Sequence, residues 1–92
     1  MRKFEEIWFN KDFYFSLVKE VESNTYCLTF PVSSGAIDYD EYYKVDQMLV
    51  EAYPENIKDV MSLLSKCRQR KMDHLLLDAP GERRGFPILP PT

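Results

Sequence analysis

His74 is the only histidine in the chain and follows Asp73, and in an active site a carboxylate beside an imidazole orients a general acid or base. Adjacent residues on a helix or strand point in different directions, and no nucleophile is identifiable beside them, so a capping or packing histidine needs fewer assumptions than a small hydrolytic or transfer enzyme. Cys27 and Cys67 lie 40 positions apart without a C-x-x-C pair. With a single histidine they do not complete a four-ligand zinc site alone, and both read as inert, buried small hydrophobes. Asp38 with Asp40, and Asp40 with Glu41, offer carboxylate pairs of the kind that bind divalent cations, but no glycine-containing ligand loop follows. No metal and no cofactor is expected. Pro80-Gly81-Glu82-Arg83-Arg84-Gly85 joins glycine freedom to two guanidinium groups, a candidate anion grip. It lacks the spacing and lysine of a phosphate loop, so Arg83 and Arg84 are expected to pair with acids elsewhere and to reach only the rim of an interface.

The remaining constellation is Asp38-Tyr39-Asp40-Glu41-Tyr42-Tyr43, followed by Asp46, Glu51 and Tyr53. Residues 38–55 carry six acids, Asp38, Asp40, Glu41, Asp46, Glu51 and Glu55, against one base, Lys44. Tyrosine supplies large contact area at low entropic cost and carboxylates supply long-range steering, which together suit a surface that binds a basic protein. Solvated acids with tyrosines packed inward give the same residues a purely structural reading, and the sequence alone leaves both open. Residues 56–92 carry seven bases and four acids, so an acidic block precedes a basic one. The basic face, Lys58, Lys66, Arg70 and Lys71, is a second candidate surface, of the kind an adaptor subunit presents to an acidic partner. The overall charge of −3 argues against generic nucleic-acid binding.

These residues must be placed by strands first and a helix later. Phe13, Phe15 and Leu17 alternate with Tyr14, Ser16 and Val18, and Tyr26, Leu28 and Phe30 alternate with Cys27 and Thr29, the two-residue period of a sheet. Polar separators at Asn10-Lys11-Asp12 and Glu22-Ser23-Asn24 predict hairpin loops of about three residues joining strands at 4–9, 13–21 and 25–32. A short fourth strand is predicted at 41–45, and Asp46 is placed to cap a short helix over 47–53. Pro54 restarts the chain, and Ile57, Val60, Met61, Leu64, Cys67 and Met72 form the apolar stripe of a helix over 55–72. Leu75-Leu76-Leu77 reads as a last strand or a return segment. Four of the six prolines fall in the last thirteen residues, which predicts an irregular or extended segment over 79–92.

At 92 residues, with 45% hydrophobic and 14% aromatic side chains, the chain makes one domain with a core. The predicted class is α+β: a small antiparallel sheet of three to five strands packed on one main helix, with a short helix beside it. No apolar run reaches the ~20 residues of a membrane span, and the first residues lack the apolar centre of a secretory signal, so a cytoplasmic protein is expected.

Thr25-Tyr26-Cys27-Leu28-Thr29-Phe30-Pro31-Val32-Ser33-Ser34-Gly35, then Asp38 to Tyr43, with Cys67-Arg68-Gln69-Arg70-Lys71-Met72-Asp73 and Pro80 to Gly85, resembles a family of small immunity proteins from contact-dependent growth inhibition systems. Within it, the sequence is most similar to the branch paired with ribonuclease A-like toxin domains, over about residues 4–87. The resemblance implies a bacterial cytosolic antidote, not an enzyme, that binds one toxin domain and covers its active site. That agrees with the acidic, tyrosine-rich block, because a ribonuclease cleft must be basic to hold phosphates.

Overall fold

The computed structural model describes residues 2–81 and 84–90. Its elements follow in the order β1 (Phe4–Asn10), β2 (Phe15–Glu20), β3 (Thr25–Ser33), β4 (Asp38–Lys44), α1 (Gln47–Glu51), α2 (Ile57–Arg68), a 3₁₀ turn (Asp73–Leu75) and β5 (Phe86–Pro87). The strands form one sheet of order β1-β2-β3-β4, every pairing antiparallel. This is the predicted α+β arrangement of a five-stranded sheet with one main and one short helix.

Both hairpin loops are one residue longer than predicted, spanning 11–14 and 21–24. In the first, Asn10 Oδ1 accepts from the backbone N–H groups of Asp12 (3.0 Å) and Phe13 (2.9 Å). Tyr14 closes the loop at φ 54° and Asn24 closes the second at φ 57°, a left-handed conformation that asparagine tolerates and tyrosine rarely adopts. Phe13 therefore leaves the strand alternation and lies exposed in the turn. Arg68, at the end of α2, secures this loop by donating from Nη2 to the Phe13 carbonyl (2.6 Å), with its guanidinium over the Phe30 ring.

The core lies between the sheet and α2. Phe15, Leu17, Leu28, Phe30, Val32 and Tyr43 meet Val60, Leu64 and Cys67, with Val50 and Tyr53 at one side and the half-buried Ile57 and Met61 packed against the cluster. The helix is shorter than its apolar stripe implies. It ends at Arg68 because Arg70 turns left-handed (φ 62°), letting Arg70 N–H bond to the Cys67 carbonyl and Lys71 N–H to the Lys66 carbonyl. That is a Schellman closure made without glycine. At the start of α1, Asp46 occupies the capping position but its carboxylate makes no cap bond, which corrects the predicted role.

Beyond α2 the chain returns along β4: Tyr43 and Leu76 form an isolated antiparallel bridge, and Leu77 N–H donates to the Tyr42 carbonyl (2.9 Å). The proline-rich segment contains one short extended stretch. β5 pairs with β3 at Val32↔Pro87 and Ser33↔Phe86, extending the edge that β2 leaves when it ends opposite Thr29. Gly85 makes this docking fit, since a Cβ there would lie 2.4 Å from the Ser33 backbone.

β1 is the free edge. Its register shifts between Glu6 and Trp8, and the resulting bulge, with Glu5 and Glu6 beside it, blunts a strand that exposes Ile7, Trp8 and Phe9. Its N-terminal end curls across the sheet face opposite α2. Arg2 pairs with Glu20 and with Asp78 (3.0 Å), and Phe4 stacks on Tyr42 of β4, which leaves a second, small buried group around Val18 and Cys27. No helix among the described residues is long and apolar enough to cross a membrane.

Candidate functional site

Strand alternation divides the acidic, tyrosine-rich block into two sets. Tyr39, Glu41 and Tyr43 point toward α2, and Asp38, Asp40 and Tyr42 point to the concave face on the other side.

The first set is architectural. Tyr43 is fully buried and Glu41 is 9% exposed, and Arg84 reaches both from the C-terminal segment. Arg84 Nε donates to Glu41 Oε2 (2.8 Å), its Nη1 and Nη2 donate to Asp73 (2.7 and 2.9 Å), and Nη2 also meets the Tyr43 hydroxyl at 3.1 Å. The Tyr43 hydroxyl donates to Glu41 Oε1 (2.9 Å). Burial and the Glu41 carboxylate push the Tyr43 phenol well above its usual range, while Arg84 holds the Asp73 carboxyl below its own. Tyr39 accepts from Gly85 N–H through its hydroxyl (2.7 Å). Arg84, with its side chain only 10% exposed, is thus a buried latch between strand, turn and tail and not a rim residue; Arg83 lies outside the described residues. The latch also occupies the carboxylate that would have oriented His74, which is exposed on the 3₁₀ turn.

Three further candidates separate from the block. Tyr53 is buried, packs edge-on against Trp8 and Phe15, and accepts from Asn10 Nδ2 (3.0 Å). Asp46 and Glu51 are exposed at the two ends of α1, where Glu51 accepts from Gln47 (2.7 Å).

The second set faces a groove of about 430 Å³ on the concave side, where Asp40 and Tyr42 line one wall and Glu6, Phe9 and Ser16 the other, over a floor that includes Thr29 and Pro31. Cross-strand register builds this row, since Tyr42 lies opposite Thr29, Thr29 opposite Ser16, and Ser16 opposite Phe9. Glu6 accepts from the Ser16 hydroxyl (3.1 Å). Among the described residues, neither Asp38 nor Asp40 has a salt-bridge partner and no basic side chain lines the groove. Burial, and after it the Asp40 charge, raises the Tyr42 phenol, an effect the nearby Thr29 hydroxyl partly offsets.

Sequence reasoning missed Glu6, Phe9, Ser16, Thr29 and Pro31 as companions of this face. The available signal was the alternation in β2 and β3, which puts Ser16 and Thr29 on the side opposite the core; the curl of β1 that adds Glu6 and Phe9 has no local mark.

Among the described residues, no three His, Cys, Asp or Glu side chains gather into a metal-ligand set. No family model matches the chain, and no curated protein or solved structure matches it significantly.

Proposed function

We propose that the protein is an immunity protein that binds a cognate toxin domain, a ribonuclease in the reading favoured by the sequence resemblance, and neutralises it by covering a basic active-site cleft. The observation that carries this reading is the pair of exposed acids Asp38 and Asp40, unpaired among the described residues, beside Tyr42 on one concave sheet face. The buried acids of the sheet, by contrast, are held by partners, Glu41 by Arg84 and Glu20 by Arg2. Carboxylates set against a phosphate-binding cleft compete with RNA for the same cations and exclude it sterically.

A typical tight complex buries about 800 Å² on each partner, so the acidic groove needs its surroundings as well. Asp38 on one side extends it with charge, and the exposed Phe9 of β1 on the other supplies apolar area. Coexpression with the C-terminal domain of a toxin whose gene directly precedes this one, the position expected for an immunity gene, tests the reading. A stable complex, loss of ribonuclease activity in it and protection of cells are expected; a toxin domain that stays fully active and fails to copurify overturns it.

A further inference from the structure

The concave groove has the chemistry of a receptor for one side chain. Its two carboxylates, Glu6 and Asp40, have no cation among the residues that line it. Much of its remaining lining is apolar, with Phe9, Pro31 and the Tyr42 ring beside the Ser16 hydroxyl. At its floor Thr29 is only 7% exposed, and its buried Oγ1, beside the Tyr42 phenol, makes no hydrogen bond of normal geometry among the described residues. A buried hydroxyl lacking a partner costs stability, and a native fold ordinarily satisfies such a group with a protein atom, water or a ligand.

An arginine side chain meets all three features at once. Its guanidinium carries five N–H donors in a planar fork, enough to engage two carboxylates and a hydroxyl oxygen, and its flat faces stack on aromatic rings. A lysine ammonium lacks the planar faces, and an apolar side chain would leave both carboxylates and Thr29 unanswered. We infer that the groove between Glu6 and Asp40 is the receptor for an arginine side chain presented by the protein's basic partner. This rests on the immunity reading for the source of the arginine, but the groove's chemistry can be tested without the toxin.

The probe is arginine amide, titrated into the full-length protein and followed by two-dimensional amide NMR, with norleucine amide as the uncharged control. Saturable shifts at Ser16, Thr29 and Tyr42, with a dissociation constant of about 1–10 mM, are expected for arginine amide only. Glu6→Gln with Asp40→Asn should weaken that binding about tenfold or more, and Thr29→Val should weaken it by a smaller factor while the fold is kept. Equal response to norleucine amide, no saturation, or native binding by the double variant overturns the assignment. Copurification of Glu6→Gln/Asp40→Asn with the toxin domain then separates the two ideas. Toxin binding unchanged in a variant that has lost arginine amide overturns the partner as the source of the arginine and leaves the immunity reading standing. No toxin binding by the native protein overturns the immunity reading, while the amide titration still decides the groove.

Discussion

The ring of Phe4 lies flat on that of Tyr42, with centroids 4.0 Å apart and planes 7° from parallel, although the two residues belong to opposite edges of the sheet. The sheet is therefore coiled far enough for its first strand to cover part of its fourth, and Arg2 adds an ion pair to Asp78 beyond β4. One part of the concave face is sealed over Cys27, and the part beyond Val18 stays open as the groove.

Breaking the stack should uncover this small second core. Phe4→Ala and Tyr42→Ala are each expected to cost about 1–3 kcal/mol, with a coupling of about 1 kcal/mol in the double-mutant cycle, read from urea unfolding. Strictly additive losses would show that the rings are neighbours without being partners.

Gly85 carries a second prediction, because its absent Cβ is the space into which the Ser33 backbone fits. Gly85→Ala must push β5 away from β3 and strain the Arg84 latch one residue before it. A loss of about 2 kcal/mol is expected, with faster amide exchange at Ile88, whose N–H donates to the Pro31 carbonyl (3.0 Å). Native exchange at Ile88 in that variant would mean the tail docks some other way.

Much of the architecture was legible because it depends on periodicity. The two-residue pattern located β2 and β3, and the helical stripe located Val60, Leu64 and Cys67 in the core. What was illegible depends on tertiary context. The end of α2 at Arg68 rests on a left-handed arginine, where a sequence reader looks for glycine, and β5 contains a proline that only an edge position tolerates. For the site, alternation implied that Tyr42 and Tyr43 face opposite ways but not which of them is buried. The curl of β1 that brings Glu6 to the groove Asp40 also lines arises from strand coiling, which no short window of residues encodes.

Acid should destabilise the protein through Asp73 and Glu20. Arg84 depresses the Asp73 carboxyl, and the Ser23 hydroxyl, then Arg2, depress that of Glu20, from ordinary values of 3.8 and 4.5. In the unfolded chain these groups take up protons first as the pH falls, so the stability they contribute is complete above about pH 5 and is lost as the pH drops through the depressed values. Thermal unfolding followed from neutral pH into acid should show this slope, and Asp73→Asn and Glu20→Gln should each flatten it. An unchanged slope in both variants would assign acid lability to other carboxylates.

The thiols predict the alkaline branch. Cys27 and Cys67 are buried and unpaired, and burial pushes their pKa values up to about 11 and about 12 from an ordinary 9.0. Above about pH 9 the unfolded chain loses these protons while the native state retains them, so stability falls as the pH rises toward the native values. At about pH 8 both thiols should react with a disulfide reagent no faster than the protein unfolds, and serine at both positions should leave partner binding within a factor of a few. Rapid labelling of native protein would contradict their burial.

The acids of β4 should separate into those that steer a partner and those that hold the fold. Asp38 and Asp40 are exposed and lack a salt-bridge partner among the described residues, whereas Glu41 is buried and fixed by Arg84 (2.8 Å). Exposed charges act mainly on association, and their effect weakens with salt, while desolvated rings at an interface centre govern dissociation. Asp38→Lys with Asp40→Lys should therefore slow association with the proposed toxin partner about tenfold at low ionic strength and by much less at high, leaving the melting temperature near that of the native protein. Glu41→Lys should instead lower the melting temperature sharply, since it adds a second buried cation beside Arg84. Tyr42→Leu should speed dissociation with little effect on association. Surface-binding kinetics at about 0.05 and 0.3 M salt, with unfolding curves for each variant, measure all of these. Native association rates in a folded Asp38→Lys/Asp40→Lys variant would move the proposed partner-binding surface off the concave face, and Lys58, Lys66 and Lys71 on the helix side would be the next residues to reverse.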